Sequence, residues 1–330
     1  MGMLQTSSTL LVNLLPAFCK PFARSARAAL QKSAENLWAV GFTIAGRIFR
    51  SRVEAWSPAG GQRILVIAPH PDDEAIGCAG TILRHKESGD TVCVAYVTDG
   101  RRSEALGLSP REMAYRRKNE AKTVARALEI DRFEWFGLPE GTWSDEDLRP
   151  RLRSLIAEFL PDLVYAPSRI DVHQQHHQVA NVLASLLSDF NGDLHSPLVR
   201  IYEVQIPLTP VLTNVVVDTS NVSKTSSLVL HAYTTQYGST CRAERKWRYA
   251  ARFYGTEAKA EEFWQMTAKH YHLLTNLPPK EWTISTVQPF RPIQFRSYTD
   301  PLAYLKGLTE RRRLAQLLQQ SSRQAQTSND

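Results

Sequence analysis

Between Arg63 and Ala166 the chain alternates short apolar runs with longer segments of helical period, and that alternation constrains the fold more than any other feature. Arg63–Ala68 reads as a buried strand, Ala75–Lys86 as the helix returning over it, Thr91–Val97 as a second strand and Pro110–Glu129 as a second helix. Phe133–Phe136, Leu148–Leu160 and Asp162–Ala166 continue the series as strand, helix and strand. Strands joined by helices of this length predict an α/β fold, a Rossmann-like and mostly parallel sheet with helices on both faces. In such a sheet, ligands gather outside the carboxyl ends of the strands.

Beyond Pro197 the pattern loosens. Leu198–Val204 and Val215–Asp218 read as strands, residues 224–233 as a helix, and residues from about 240 to 274 as one long polar and aromatic helix. Pro278-Pro279 breaks it, and a last basic helix near residues 302–319 leads into a Ser/Gln/Asn-rich tail expected to be disordered. The breaker cluster Ser57-Pro58-Ala59-Gly60-Gly61 marks the entry to the main domain. The expected organisation is an N-terminal extension at 1–60, a catalytic domain at 61–290 and a C-terminal helix with its tail at 291–330.

With 43% apolar residues, a chain of 330 residues can bury a sizeable core. Its four cysteines (Cys19, Cys78, Cys93, Cys241) are scattered and form no Cys-x-x-Cys pair. That argues against a disulfide framework or a thiolate zinc site and suits a reducing, cytoplasmic compartment. The net charge of +7 belongs to the two ends. Residues 1–56 hold seven basic side chains (Lys20, Arg24, Arg27, Lys32, Arg47, Arg50, Arg52) against two acidic ones, Glu35 and Glu54. A near-neutral middle argues against a nucleic-acid partner, whose enzymes concentrate positive charge around the active cleft. The oligomeric state leaves no mark on the sequence.

No uninterrupted apolar run near the N-terminus reaches the ~18 residues of a membrane-spanning helix. From Leu30 onward, Leu30, Ala34, Leu37, Trp38, Ile44, Ala45 and Ile48 fall on one helical face. Such a basic amphipathic helix suits peripheral contact with an anionic membrane through residues 1–56. The alternative is that it docks on the catalytic domain and completes the core.

The chemistry concentrates in two clusters. Ala68-Pro69-His70-Pro71-Asp72-Asp73-Glu74 follows directly on the apolar run Ile64–Ile67, and Asp171-Val172-His173-Gln174-Gln175-His176-His177 follows the strand ending at Ala166. His70 and Asp73 lie three apart, so a helix starting at Pro71 brings them to one point. One imidazole from the second cluster completes two histidines and a carboxylate, a catalytic-type metal set with room for water or substrate. Nitrogen and oxygen donors without thiolate suit one divalent ion, Zn²⁺ first, with Fe²⁺ or Co²⁺ as alternatives. Such an ion lowers the pKa of its water to about 7 and polarises a carbonyl. Asp72 is then free to act as general base. Acidic residues at a helix start also complement the helix dipole, and a histidine run is often merely solvated. A histidine immediately before the acidic start, at the mouth of a strand, has no such structural role.

These motifs resemble the PIG-L/LmbE family of metal-dependent N-deacetylases, which includes N-acetylglucosaminyl-phosphatidylinositol de-N-acetylase. The likeness runs from about Arg63 to Gln236 and rests on His70-Pro71-Asp72-Asp73-Glu74 with His173-Gln174-Gln175-His176. Arg117-Lys118-Asn119-Glu120-Ala121, Phe136–Gly141, Val217–Ser220 and Tyr233-x-Thr235-Gln236 are weaker matches. The resemblance implies His70, Asp73 and His176 as metal ligands, Asp72 as general base, and His173 as an imidazolium facing the oxyanion or leaving amine. It implies Arg117 and Glu140 as contacts to an N-acetylated amino sugar of the N-acetylglucosamine type. Gln174-Gln175 stands where Pro-Asp is common, Glu140 replaces an aspartate, Arg116 sits beside Arg117, and His177 adjoins His176 as a competing ligand. The altered second motif leaves a rival reading, a catalytically inactive carbohydrate-binding or scaffold protein at a membrane surface.

Overall fold

The computed structural model describes residues 33, 36–48, 53, 55–171, 173–189, 196–206, 208–277 and 308–327. A helix over residues 36–48 (α1) precedes the short strand Ala55–Trp56 (β1) and the strand Arg63–Ala68 (β2). Then come Asp73–Glu87 (α2), Thr91–Thr98 (β3), Pro110–Ala127 (α3), Arg132–Leu138 (β4), Asp145–Phe159 (α4), Leu163–Ala166 (β5) and Gln174–Asp189 (α5). The second half holds Leu198–Tyr202 (β6), Val215–Asp218 (β7), Ser223–His231 (α6), Tyr237–Tyr254 (α7), Ala260–Thr267 (β8), Ala268–Asn276 (α8) and Leu308–Thr327 (α9).

The strands form one sheet in the order β1-β7-β8-β6-β5-β2-β3-β4. All described pairings are parallel except those of β8, which runs antiparallel to both β6 and β7. The fold is the mixed α/β architecture that the alternating pattern implies. Period-two alternation divides the core between two faces. On β2, Leu65 and Ile67 join α4, α5 and α8, whereas Ile64, Val66 and Ala68 join α2, α6 and α7. Helix α3 is anchored by reciprocal capping, with Glu112 Oε2 accepting from Ser109 N–H at 3.0 Å, Ser109 Oγ accepting from Glu112 N–H at 3.4 Å, and Pro110 opening the helix.

The expected long helix over 240–274 is corrected. Helix α7 stops at Gly255, which adopts a left-handed φ of 79°, and residues 260–267 form the buried strand β8. Glu261 and Glu262 disguised that strand, because both carboxylates are buried inside the protein. Glu261 accepts from the N–H groups of Gly80 and Thr81 at 2.8 Å each, and Glu262 accepts from the Thr209 hydroxyl. Burial of such groups is tolerated only when they are bonded.

The final helix runs on to Thr327, well past the Gln319 boundary read from the sequence, and buries Leu314 and Leu318. Leu30, Ala34, Pro278-Pro279 and the start of the expected last helix lie outside the described residues. Helix α1 docks one face on α7, where Phe42 stacks on Tyr249 at 4.8 Å, and Gly46 passes so close that an added Cβ would meet the Phe253 carbonyl oxygen. Its other face leaves Leu37, Val40, Ile44 and Ile48 between 51% and 68% exposed.

Candidate metal centre

Every sequence-flagged site residue lies just beyond the carboxyl end of a strand or on a helix packed over that edge. His70, Asp72 and Asp73 follow β2, Asp99 follows β3, Glu140 follows β4, and Asp171 to His176 follow β5. Helix α2 lies close on the sheet because Gly77 and Gly80 leave room for Tyr202 and Thr219, where a Cβ would clash at 2.5 and 2.6 Å. That approach sets where the N-terminus of α2 meets the N-terminus of α5.

There His70 Nδ1, Asp73 Oδ2 and His176 Nε2 form a triangle with edges of 3.3 Å (His70–Asp73), 3.2 Å (His70–His176) and 3.2 Å (His176–Asp73). Ligand bonds of about 2.0–2.1 Å to a tetrahedral ion put the donor atoms about 3.3–3.4 Å apart. The triangle therefore fits one divalent ion with two nitrogens and one oxygen. His70, His173 and His176 also each offer a nitrogen within 4.8 Å of one another, a looser set. Asp171, five residues ahead of His176, holds the outer nitrogen of that ring, with Oδ2 at 2.8 Å from Nδ1. Such carboxylate support fixes the tautomer that leaves Nε2 for an ion.

The electrostatics agree with a cationic demand at this point. Burial pulls the His176 imidazole down, but Asp73 and Asp171 outweigh it and lift it to about 10. Burial would raise the Asp73 carboxyl, yet His176 and His70 hold it well below the usual range. Both buried carboxylates thus gather positive charge, by proton or by ion.

Asp72 sits beside the triangle with an unusual backbone, φ 147° and ψ −21°. Arg117, the buried one of the two neighbouring arginines, donates to Asp72 Oδ1 at 2.8 Å, whereas Arg116 is exposed. Burial raises the Asp72 carboxyl to about 6 despite Arg117. Behind it Glu74 is fully buried and pushed up to about 8 by that burial, even with the Tyr233 hydroxyl donating to it.

His173 packs edge-on against His70, with ring centroids 4.5 Å apart. Its surroundings oppose the imidazolium expected for it. Burial, with His70 and His176 adding to it, lowers its pKa to about 3, and its Nδ1 accepts from the Gln175 N–H at 3.3 Å. Both favour a neutral ring with its proton on Nε2. His177 turns away from the triangle onto the Asp171 carbonyl oxygen. Glu140 Oε1 stands 3.6 Å from His70 Nε2, and its other oxygen accepts from Arg102 N–H at 2.8 Å.

Gln175 is a site residue that the sequence reading missed. Its amide oxygen accepts from Gly141 N–H at 2.7 Å and Trp143 Nε1–H at 3.2 Å, which turns its amide nitrogen to His70 Nε2 at 2.7 Å. Its position inside the second motif was the available signal. A pocket of about 270 Å³ opens over these groups, its outer wall formed by Arg102, Ser103, Gln236, Ser239 and Arg242. Of those five only Gln236 belongs to a quoted motif, and three of them arrive from more than sixty residues beyond His173.

The α/β sheet with a His/Asp/His triangle and a neighbouring carboxylate at its carboxyl edge defines a Rossmann-like protein with a candidate metal site. Residues 65–187 match the PIG-L family, described as GlcNAc-PI de-N-acetylase. It is 32% identical over 136 residues to diacetylchitobiose deacetylase of Thermococcus kodakarensis, covering 40% of this chain and 51% of that protein. It is 26% identical over 193 residues to 1D-myo-inositol 2-acetamido-2-deoxy-alpha-D-glucopyranoside deacetylase of Kineococcus radiotolerans, covering 46% and 54% respectively. The chain thus spans about half the length of these curated relatives.

Among solved structures, N,N'-diacetylchitobiose deacetylase from Pyrococcus horikoshii shares the fold with TM-score 0.55 and 24% identity, over 64% of this chain and 86% of that one. So does 4-carboxy-2-hydroxymuconate hydratase from Pseudomonas putida, with TM-score 0.54 and 18% identity, over 62% and 96%. One fold carries different reactions, so function has to be argued from the site.

Proposed function

We propose that this chain is a metal-dependent hydrolase that removes the N-acetyl group from an N-acetylglucosamine-type sugar conjugate. The observation that carries the reading is the His70–Asp73–His176 triangle with Asp72 beside it in one pocket. The curated relatives, both deacetylases of acetylated amino sugars by name, support the substrate class. His70, Asp73 and His176 would hold the ion, Zn²⁺ by its donor set, with Fe²⁺ or Co²⁺ as alternatives. Bound there, a divalent ion supplies Lewis acidity that polarises the amide carbonyl.

The chain's own residues do the rest. Asp72, steadied by Arg117, takes a proton from the water that attacks the carbonyl carbon. His173, neutral and protonated on Nε2, donates a hydrogen bond to the oxygen on which negative charge grows. The proton held by Asp72 passes to the departing nitrogen, leaving a free amino sugar and acetate. Glu140 and the polar outer wall contact the sugar. Acetate release from N-acetylglucosamine glycosides by the zinc-loaded protein, lost on chelation, is the expected result. Metal binding without acetate release from any such conjugate favours the inactive carbohydrate-binding reading instead.

The exposed face of α1 supports peripheral membrane contact as the setting. Among the described residues no helix is long and apolar enough to cross a membrane. The stripe Leu37, Val40, Ile44 and Ile48 follows helical spacing, and Arg47, Arg248 and Arg252 are exposed on α1 and on the helix it docks against. Apolar contact flanked by arginines complements an anionic bilayer. Flotation with phosphatidylglycerol vesicles, but not phosphatidylcholine ones, is expected for the full chain and is reduced in the L37E/I44E variant. Concentration-dependent dimerisation abolished by the same variant assigns the stripe to a second copy.

A further inference from the structure

Asp72 is a non-glycine residue held at φ 147°, a conformation that costs on the order of 1–3 kcal/mol and persists only where its surroundings enforce it. Its side chain and its backbone N–H are each held. Arg117 holds the carboxylate at 2.8 Å, and Glu74 Oε2 accepts the Asp72 backbone N–H at 3.2 Å. The other oxygen of Glu74 accepts from the Tyr233 hydroxyl at 2.5 Å, and both side chains are fully buried.

Tyr233 leads into the single helical turn Thr234–Gln236. That turn is bound in its turn by Glu120, which accepts from Thr234 Oγ1 at 2.6 Å, Thr235 N–H at 3.0 Å and Thr235 Oγ1 at 2.6 Å. Glu120 lies on α3 three residues after Arg117, on the same face of that helix. The contacts therefore close into a ring, from Asp72 through Arg117, α3, Glu120, the 234–236 turn, Tyr233 and Glu74 back to Asp72. Gln236, next in the turn, lines the pocket and donates to Ser103 Oγ at 2.8 Å, so the ring ties the outer wall to the reacting carboxylate.

We propose that Glu74, Tyr233 and Glu120 are positioning residues that hold Asp72 in its working geometry through this closed ring. The proposal rests on Asp72 as general base. None of the three lines the pocket, so they act through Asp72 and Arg117 and not on the substrate. A ring of this kind fixes both ends of the residue: Arg117 fixes the carboxylate, and Glu74 fixes the peptide from which it projects.

The test compares Tyr233→Phe, Glu74→Ala, Glu74→Gln and Glu120→Gln with the wild-type full chain, each loaded with zinc. Metal content, kcat and KM on an N-acetylglucosamine glycoside, and amide hydrogen exchange across residues 70–76 are measured. Loss of alignment predicts that Tyr233→Phe and Glu74→Ala lower kcat about 10- to 100-fold with KM and metal content unchanged. Glu74→Gln, which keeps an oxygen for the Asp72 N–H, recovers most of that loss. Exchange at the Asp72 amide quickens in Tyr233→Phe and Glu120→Gln. Wild-type kcat with unchanged exchange in these variants overturns the ring, as does a loss shared equally by metal content and KM. Should wild type release no acetate, the function reading falls, while the exchange data still decide the ring.

Discussion

Arg117 donates to Asp72 Oδ1 at 2.8 Å and, with the same nitrogen, to the Pro71 carbonyl oxygen, so one guanidinium spans the side chain of the acid and the backbone just before it. An ammonium can neutralise the carboxylate but cannot present fixed forked donors to both oxygens. Arg117→Lys is therefore expected to keep metal binding and lose activity about tenfold, and Arg117→Ala about a hundredfold or more, within the range of general-base contributions. Arg116→Ala, on the exposed neighbour, is the control and should stay near wild type. Steady-state kinetics on the zinc-loaded proteins decide it. Equal losses in both alanine variants would remove the special role of Arg117.

Gln175 stands where its own bonding makes it a poor partner for His70 as the proposed metal ligand. Its oxygen is engaged by Gly141 and Trp143, so its NH₂ faces His70 Nε2 at 2.7 Å. Ligation through His70 Nδ1 requires the proton on Nε2, and two donors would then face each other. A carboxylate there could accept from the imidazole with one oxygen and from Gly141 and Trp143 with the other. Gln175→Glu is expected to tighten zinc binding about 10- to 100-fold, the usual scale of such supporting contacts. Competition with a chromogenic chelator measures it directly. Unchanged or weaker affinity would show that the amide imposes no such cost.

Much of this was legible in the sequence for identifiable reasons. The strands β2, β3 and β5 are short continuous apolar runs, and the two ligand clusters follow β2 and β5 directly, so local pattern placed them at one sheet edge. The hidden parts depend on long-range pairing. Tyr233 meets Glu74 across 159 positions, and β8 reads as helix until its buried glutamates find partners on α2 and in the loop at Thr209. The imidazolium implied for His173 does not take account of burial and two adjacent imidazoles, which lower its pKa and become visible only once the fold is known. Gln175 was seen only as a departure, since its role appears once Trp143 and Gly141 are placed around it.

His85 carries a pH dependence away from the site. It is fully buried, paired with Asp90 at 2.6 Å and Tyr165 at 2.9 Å, and burial lowers it from 6.5 to about 4 despite Asp90. The unfolded chain then binds the proton more readily, so this contribution is full above pH 6.5 and is lost as pH falls through 4. Its full span is on the order of 3 kcal/mol. Urea unfolding at several pH values should show a fall in stability between neutral and pH 4. The fall should be shallower in His85→Gln, and an unchanged slope in that variant would reassign it to other groups.

The central claim is that His70, Asp73 and His176 converge on one ion. It is tested most directly by metal content of the purified chain after zinc loading, beside His70→Ala, His176→Ala and His177→Ala. One divalent ion per chain is expected, lost in the first two variants and kept in the third, because His177 is turned onto the Asp171 carbonyl. Zinc retained by His176→Ala, or none bound by wild type, would contradict it.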